Sequence, residues 1–141
     1  MDTNLATFET VIPPYKKWDE SHLKFGRIAA VHNGQVVGWV ALSPTSPRKC
    51  FSGVAELSIY IANEAKHMGV GTLLLNQEIA DSQQHGIWTL QAGIMRNNAP
   101  SLALHRKCGF REVGISEKIA RDPFGNWRDM VLMELRNPNI L

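Results

Sequence analysis

The chain has 141 residues, of which 44% are apolar and 20% charged, and this composition predicts a single soluble domain with a hydrophobic core. The formal net charge of +2 gives no field of one sign, which argues against nucleic acid or a membrane as a partner. No apolar run approaches the roughly 18–20 residues that cross a bilayer, and the N-terminus resembles no signal peptide. We therefore expect a cytoplasmic location. Cys50 and Cys108 lack CxxC spacing, which predicts two free thiols and no metal site.

The first half of the chain predicts a short helix followed by three strands. The helix is expected at residues 15–23, after two prolines. Strands at 27–32 and 35–42 flank Asn33-Gly34, a strong hairpin signal. A proline-containing loop leads to a strand at 54–61. One face of this third strand is apolar, and the other carries the polar side chains Glu56, Ser58 and Tyr60.

The second half alternates helices with strands. The period becomes helical at Val70 and ends at Gly86, with one side carrying Val70, Leu73, Leu74, Gln77 and Ala80. The remaining predicted elements are a strand at 87–95, a helix between an Asn98 cap and Gly109, and strands at 110–119 and 127–135. Trp39, Trp88 and Phe110 are predicted to lie in the core. The order β-β-β-α-β-α-β-β indicates a mixed sheet flanked by helices, of the α+β or α/β class.

A glycine-rich turn precedes the first of these two helices. Gly69-Val70-Gly71 between a strand and a helix allows backbone N–H groups to approach an anion such as a phosphate. A tight turn without a ligand is the alternative, because a lone GxG is a weak signal. A Walker loop is excluded because Gly71 is followed by Thr72-Leu73, and a Rossmann fingerprint is excluded because Leu74 stands where its third glycine belongs.

The segment from Lys66 to Gly71 resembles the pyrophosphate loop Gln/Arg-x-x-Gly-x-Gly/Ala of the GNAT superfamily of acyl-CoA-dependent N-acetyltransferases. Within that superfamily the chain most resembles the phosphinothricin acetyltransferases. The pieces that carry this resemblance span nearly the whole chain: 6–10, 37–39, 41–44, 54–60, 101–105, 109–110 and 127–129. Relatives usually begin with a further strand and helix, so residues 1–141 are interpreted as one acetyltransferase domain that lacks this opening pair.

The resemblance implies the GNAT acyl-CoA N-acyltransferase fold, acetyl-CoA as the acetyl donor and no metal. It further implies a homodimer that acetylates the α-amino group of a small amino acid analogue such as phosphinothricin or methionine sulfoximine. The alternatives are acetylation of a peptide N-terminus or of a polyamine, and a regulator that binds acyl-CoA without catalysis.

Attack of an amine on a thioester requires a proton acceptor, a donor to the developing oxyanion and a proton for the departing thiolate. Glu56, on the polar face of the third strand, is the candidate base, although a solvated strand glutamate is the plainer reading. His105 stands where many relatives place a tyrosine that is thought to protonate the thiolate, so it is the candidate acid. By the same resemblance, the backbone N–H of Ile61 or its neighbour is the expected oxyanion donor.

Two further groups of residues are expected to bind ligands. A carboxylate or phosphinate on the acceptor calls for a guanidinium, and Arg48 resembles the arginine of the family's Arg-x-x-Tyr segment, although Phe51 replaces the tyrosine. The predicted substrate-binding residues are Phe8, Arg48, Phe51, Glu56 and Trp127. The predicted cofactor-binding residues are Ile59, Tyr60, Ile61, Lys66, His67, Met68, Gly69, Val70, Gly71, Thr72, Asn98, Ser101 and His105.

Overall fold

A computed structural model describes residues 15–140 of the chain. Its elements are α1 (Tyr15–Ser21), β1 (Ile28–His32), β2 (Gln35–Pro44), β3 (Val54–Ile61), α2 (Val70–Gln84), β4 (Thr89–Met95), α3 (Ala99–Lys107), β5 (Arg111–Arg121) and β6 (Trp127–Arg136). The strands form one six-stranded sheet in the order β1-β2-β3-β4-β6-β5. Only β3 and β4 run parallel, and the other neighbours are antiparallel. The predicted mixed α+β architecture is confirmed.

The predicted hairpin shows how closely local chemistry fixes the start of the sheet. Asn33 and Gly34 have φ angles of 52° and 77°, the left-handed pair that a two-residue type I′ turn requires. The predicted β3 agrees with the structure residue for residue, whereas β4 begins two residues later than expected and α1 ends at Ser21. Element types were therefore predictable, and several boundaries shifted by a turn residue or two.

The buried side of α2 differs from the predicted one. The buried residues are Gly71, Leu74, Leu75, Glu78 and Ser82, while Leu73 is 67% exposed and Gln77 and Ala80 face solvent. Leu74 and the half-buried Val70 face the core as predicted. The rest of the expected stripe was wrong, because the buried side is rotated toward Leu75 and includes two polar residues, Glu78 and Ser82. Ser82 satisfies its hydroxyl through the carbonyl of Ile79 at 2.9 Å.

Helices cover the two faces of the sheet unequally. The main core lies between the sheet and α2 and α3, and contains Leu42, Leu57, Leu74 and Leu75. On the opposite face, Trp18 of α1 meets Trp39 of β2 edge-on, with ring centroids 6.1 Å apart. Trp39 pairs with Tyr60, so by alternation this second face also carries Ser58 and Glu56. We call it the polar face.

The sequence predictions also covered three aromatic residues and two cysteines. Phe110 is buried as expected, whereas Trp39 and Trp88 are half-buried. Cys50 and Cys108 are free thiols. Within residues 15–140, no helix is long and apolar enough to cross a membrane, and no cluster of three potential metal ligands occurs.

Candidate active site

A V-shaped cleft opens between β3 and β4. The two strands pair over only three rungs, which end at Glu56 opposite Gln91, although β3 continues to Ile61 and β4 to Met95. Each strand keeps its outer partner over this stretch, because Gly38 still pairs with Ile61 and Met130 with Met95. The sheet therefore splits along one line, with its closed end at Glu56 and its open end at the carboxyl ends of both strands.

The amino end of α2 lies at the open end of this cleft, because the loop 62–69 connects it directly to β3. Gly69 precedes the helix in a left-handed conformation with φ of 79°, and no side chain caps the helix. The first intrahelical bond runs from the Leu73 N–H to the Gly69 carbonyl, 3.1 Å away. In the described part of the chain, the N–H groups of residues 69–72 have no acceptor. These groups and the helix dipole favour an anion.

Gly71 brings this helix end close to β3 and α3. A Cβ on Gly71 would lie 2.7 Å from Ile61 Cδ1 and 2.9 Å from Leu104 Cδ2, so no larger residue fits without displacement. His67 also has a positive φ, of 69°, which bends the loop, and the side chains of Lys66, His67 and Met68 are exposed. The loop thus presents uncapped amides and one cation at the cleft mouth, an arrangement that suits the pyrophosphate of a coenzyme A.

Glu56 occupies the closed end of the cleft. Its side chain is exposed on the polar face, at the last rung before the strands part. No ion pair or side-chain hydrogen bond engages its carboxylate among the residues that the structure describes. Gln91, opposite Glu56, was not among the predicted site residues, because nothing in the sequence sets the register between β3 and β4.

The edge of β3 supplies backbone donors to the cleft. The Ala62 N–H donates to the Val37 carbonyl of β2 at 2.9 Å. Because N–H groups alternate along a strand, those of Ile59 and Ile61 point the other way, toward β4. No rung joins β4 to this part of β3. The expected oxyanion donor, Ile61 or its neighbour, therefore lies along the open edge.

Asn98 caps the helix that follows β4. Its side-chain oxygen accepts a hydrogen bond from the Ser101 N–H at 3.3 Å, as the sequence predicted. This cap fixes the first turn of α3 beside the open end of the cleft. A role for Asn98 or Ser101 in binding a coenzyme stays a prediction.

His105 lies in the core, with 1% of its surface exposed. Its Nδ1 donates to the Ser101 carbonyl at 2.7 Å, while its Nε2 is buried and has no partner among the described residues. Burial lowers the pKa of His105 against the opposing effect of that hydrogen bond, which favours the neutral ring. The single ring proton is therefore directed at Ser101. The predicted acid role would require the ring to move, and it stays a prediction.

The predicted substrate-binding residues do not form one pocket. Arg48 and Phe51 are exposed in the loop between β2 and β3, at the closed end of the cleft, with the guanidinium 6.0 Å from the phenyl centroid. Trp127 begins β6, beyond the open end, in a cleft of about 240 Å³ shared with Arg96, Asn97, Arg128 and Asp129. Val54, which follows that loop, is level with Arg136 through Thr89, and Trp127 lies nine residues away along β6. Strand rise therefore separates the two ends by about 30 Å, and one small amino acid does not reach both within one chain. Phe8 lies outside the described residues.

Comparisons with known proteins agree with this geometry. The family model described as the acetyltransferase (GNAT) family matches residues 2–110. The chain is 31% identical to an L-methionine sulfoximine/L-methionine sulfone acetyltransferase of Pseudomonas paraeruginosa over 108 residues, which are 77% of this chain and 62% of that protein's length. It therefore spans about six-tenths of the length of this relative.

Solved structures that are similar over 94% of the chain include the following two. One, a ribosomal-protein-alanine N-acetyltransferase from Brucella melitensis, has a TM-score of 0.87 at 33% identity, with 85% of its chain covered. The other is a phosphinothricin acetyltransferase of Sinorhizobium meliloti in complex with acetyl-CoA, with a TM-score of 0.84 at 25% identity and 74% of its chain covered. The parted strands, the uncapped helix end and the family match lead to one assignment: this chain belongs to the GNAT acetyltransferase family.

Proposed function

We propose that the chain transfers the acetyl group of acetyl-CoA to the α-amino group of a small amino acid analogue of the methionine sulfoximine or phosphinothricin type. The observation that carries the proposal is the cleft itself, with uncapped amides of α2 at its open end and Glu56 at its closed end. The names of the Pseudomonas and Sinorhizobium relatives support this class of acceptor.

The proposed roles follow from where each group lies. The amides of residues 69–72 and Lys66 hold the pyrophosphate, so the rest of the coenzyme extends between the parted strands toward Glu56. Acetyl-CoA, when bound, supplies an acetyl group activated as a thioester. The free N–H groups of Ile59 and Ile61 point into the same space, where they donate hydrogen bonds to an oxygen that becomes negative.

Glu56 removes a proton from the acceptor ammonium, directly or through a water molecule, and so frees the nitrogen lone pair for attack. Formation of the carbon–nitrogen bond and loss of the carbon–sulfur bond then give an amide and a thiolate, and the thiolate takes up one proton. Arg48 holds the acceptor carboxylate or phosphinate from the closed end, where its guanidinium has no ion pair within residues 15–140.

A thiol-release assay tests the proposal on a panel of methionine sulfoximine, methionine sulfone, phosphinothricin and a polyamine. We expect release with one of the three amino acid analogues. Glu56→Gln should lower kcat by about 10²–10⁴-fold, because the amide cannot accept the proton, while the Kd for coenzyme A changes less than twofold. Unchanged turnover in Glu56→Gln would contradict the base role. Arg48→Lys keeps the charge but loses the bidentate geometry, so it should raise the acceptor KM without affecting coenzyme binding.

A peptide N-terminus is the second candidate acceptor, favoured by the name of the Brucella structure. A short peptide with an N-terminal alanine belongs in the same panel. Thiol release with this peptide and with none of the amino acids would replace the first proposal by this one. Coenzyme A binding without thiol release for any amine would instead favour a regulator that senses acyl-CoA.

A further inference from the structure

The closed end of the cleft is built on one close contact, between Gly53 and Trp88. These residues immediately precede β3 and β4. A Cβ on Gly53 would overlap the six-membered ring of the Trp88 indole, so the ring occupies the space of a side chain at position 53. Gly53 is not among the glycines with positive φ. The glycine is therefore required for space rather than for its backbone conformation.

Hydrogen bonds tie the same two residues together. The Gly53 carbonyl accepts from the Trp88 N–H at 2.8 Å and from the Thr89 N–H at 3.2 Å. The Trp88 carbonyl in turn accepts from the Asn137 N–H at 2.9 Å, which connects the contact to the segment after β6. We call this arrangement the Gly53–Trp88 clasp.

The clasp adjoins the whole of the β3–β4 pairing. That pairing has three rungs, and the third holds Glu56. Gly53 is also the last residue of the loop that carries Arg48. Because only three residue pairs join the two strands, a displacement of Gly53 is expected to move both Glu56 and the loop that carries Arg48.

We propose that Trp88 is a positioning residue. By packing against Gly53 it fixes the separation of β3 and β4 at the closed end of the cleft, and thereby the positions of Glu56 and Arg48. The inference rests on the proposed function for its catalytic consequence, since Trp88 itself lies three rungs from the reacting groups. Misplacement of a catalytic group by about 1 Å is enough to cost up to 10²-fold in rate.

The test uses Gly53→Ala, Trp88→Ala, the double variant, and Gly114→Ala as the matched control. A Cβ on Gly114 meets nothing within 4 Å, so this control makes the same chemical change without a clash. Gly53→Ala should lower kcat/KM for the acceptor at least tenfold, with the loss mainly in kcat. Its Kd for coenzyme A should change less than twofold, because the α2 amides lie at the other end of the cleft. Gly114→Ala should behave as the parent.

The double variant distinguishes the clasp from a general loss of stability. Once alanine replaces the tryptophan, every ring atom that a Cβ at position 53 would meet is gone, so the double variant should be no worse than Trp88→Ala alone. Losses that simply add, or a fall in coenzyme affinity as large as the fall in kcat/KM, would overturn the inference. So would a folded Gly53→Ala variant with kcat/KM within twofold of the parent.

Amide hydrogen exchange separates this inference from the proposed function. The Thr89 N–H donates directly to Gly53, so its exchange should become at least tenfold faster in Gly53→Ala, while that of Leu132 in β6 stays unchanged. If the parent protein releases no thiol with any amine, the proposed function fails. The exchange rate of Thr89 still shows whether the Gly53–Trp88 contact holds the start of β4 in place. An unchanged Thr89 rate would overturn it.

Discussion

The two longer helices, α2 and α3, differ in whether their terminal amides and buried polar side chains have hydrogen-bond partners. α3 begins with a side-chain cap from Asn98, and its buried His105 donates to the Ser101 carbonyl. α2 begins at Gly69 without a cap, and its buried Glu78 has no hydrogen-bond partner for either carboxylate oxygen among the described residues. Both helices follow strands that border the same cleft.

At the start of α3 a side chain of the protein accepts a hydrogen bond from the helix, whereas at the start of α2 the amides remain available to a ligand. Unsatisfied polar groups cost stability, and a fold retains them where they serve binding or where the group stays uncharged. The free amides of α2 fit the first explanation, through the anionic ligand proposed for the cleft mouth. Glu78 lies two turns further along the helix, with its Oε1 beside Gly26, so it requires the second explanation.

The largest effect is expected for Glu78, whose burial should make the stability of the protein depend on pH. Burial, and secondarily the charge of Asp81, raises the pKa of Glu78 to about 8. Between its usual pKa near 4.5 and about 8, the folded protein keeps a proton that the unfolded chain has released, so the contribution of Glu78 to stability falls as pH rises. Glu78→Gln imitates the protonated form and removes this dependence.

We therefore expect Tm, measured by calorimetry, to be similar for the parent and Glu78→Gln at pH 5. At pH 9 the variant should melt higher, by on the order of 10 °C. Asp81→Asn is the control, since it removes only the smaller cause and should move the pH midpoint downward while leaving a slope. Parallel Tm curves for the parent and Glu78→Gln across this range would show that the carboxyl is ionised or paired in solution.

Gly69 gives the next largest effect, on coenzyme affinity. An aspartate at this position places a negative charge beside the free amides, where it competes with a pyrophosphate. Gly69→Asp should weaken the Kd for coenzyme A at least tenfold, as measured by calorimetric titration. Gly69→Asn has the same shape without the charge and tolerates the left-handed conformation, so its Kd should change less than threefold. Equal affinities for the two variants would mean that the anion binds elsewhere.

The same contrast shows what sequence reasoning reaches and where it stops. The Asn98 cap, the Asn33-Gly34 turn and β3 were predictable because each depends on residues adjacent in the chain. The side of α2 that faces the core was not, because Glu78 lies inside against the usual preference of carboxylates for solvent. The register between β3 and β4, which pairs Glu56 with Gln91, was also not predictable from the sequence.

The predicted site shows the same limit. Glu56 and the loop before α2 were identified by motif, and both border the cleft. Arg48 and Trp127, both predicted to bind substrate, lie at opposite ends of the sheet, and their roles stay predictions. The close contact between Gly53 and Trp88 could not be predicted from a single sequence, since the two residues are far apart in the chain and neither belongs to a motif.

Asn98 provides the smallest effect, and it decides whether the capped helix end also binds the coenzyme. Asn98→Ala should cost about 1 kcal/mol in the free energy of unfolding, measured by urea denaturation, because the Ser101 N–H loses its acceptor. Asn98→Asp keeps an acceptor at the same place and should restore that stability. If Asn98 is a cap alone, both variants keep the parent's Kd for coenzyme A within twofold. If the side-chain amide also donates to the coenzyme, Asn98→Asp recovers stability but not affinity, since the carboxylate has no N–H to offer.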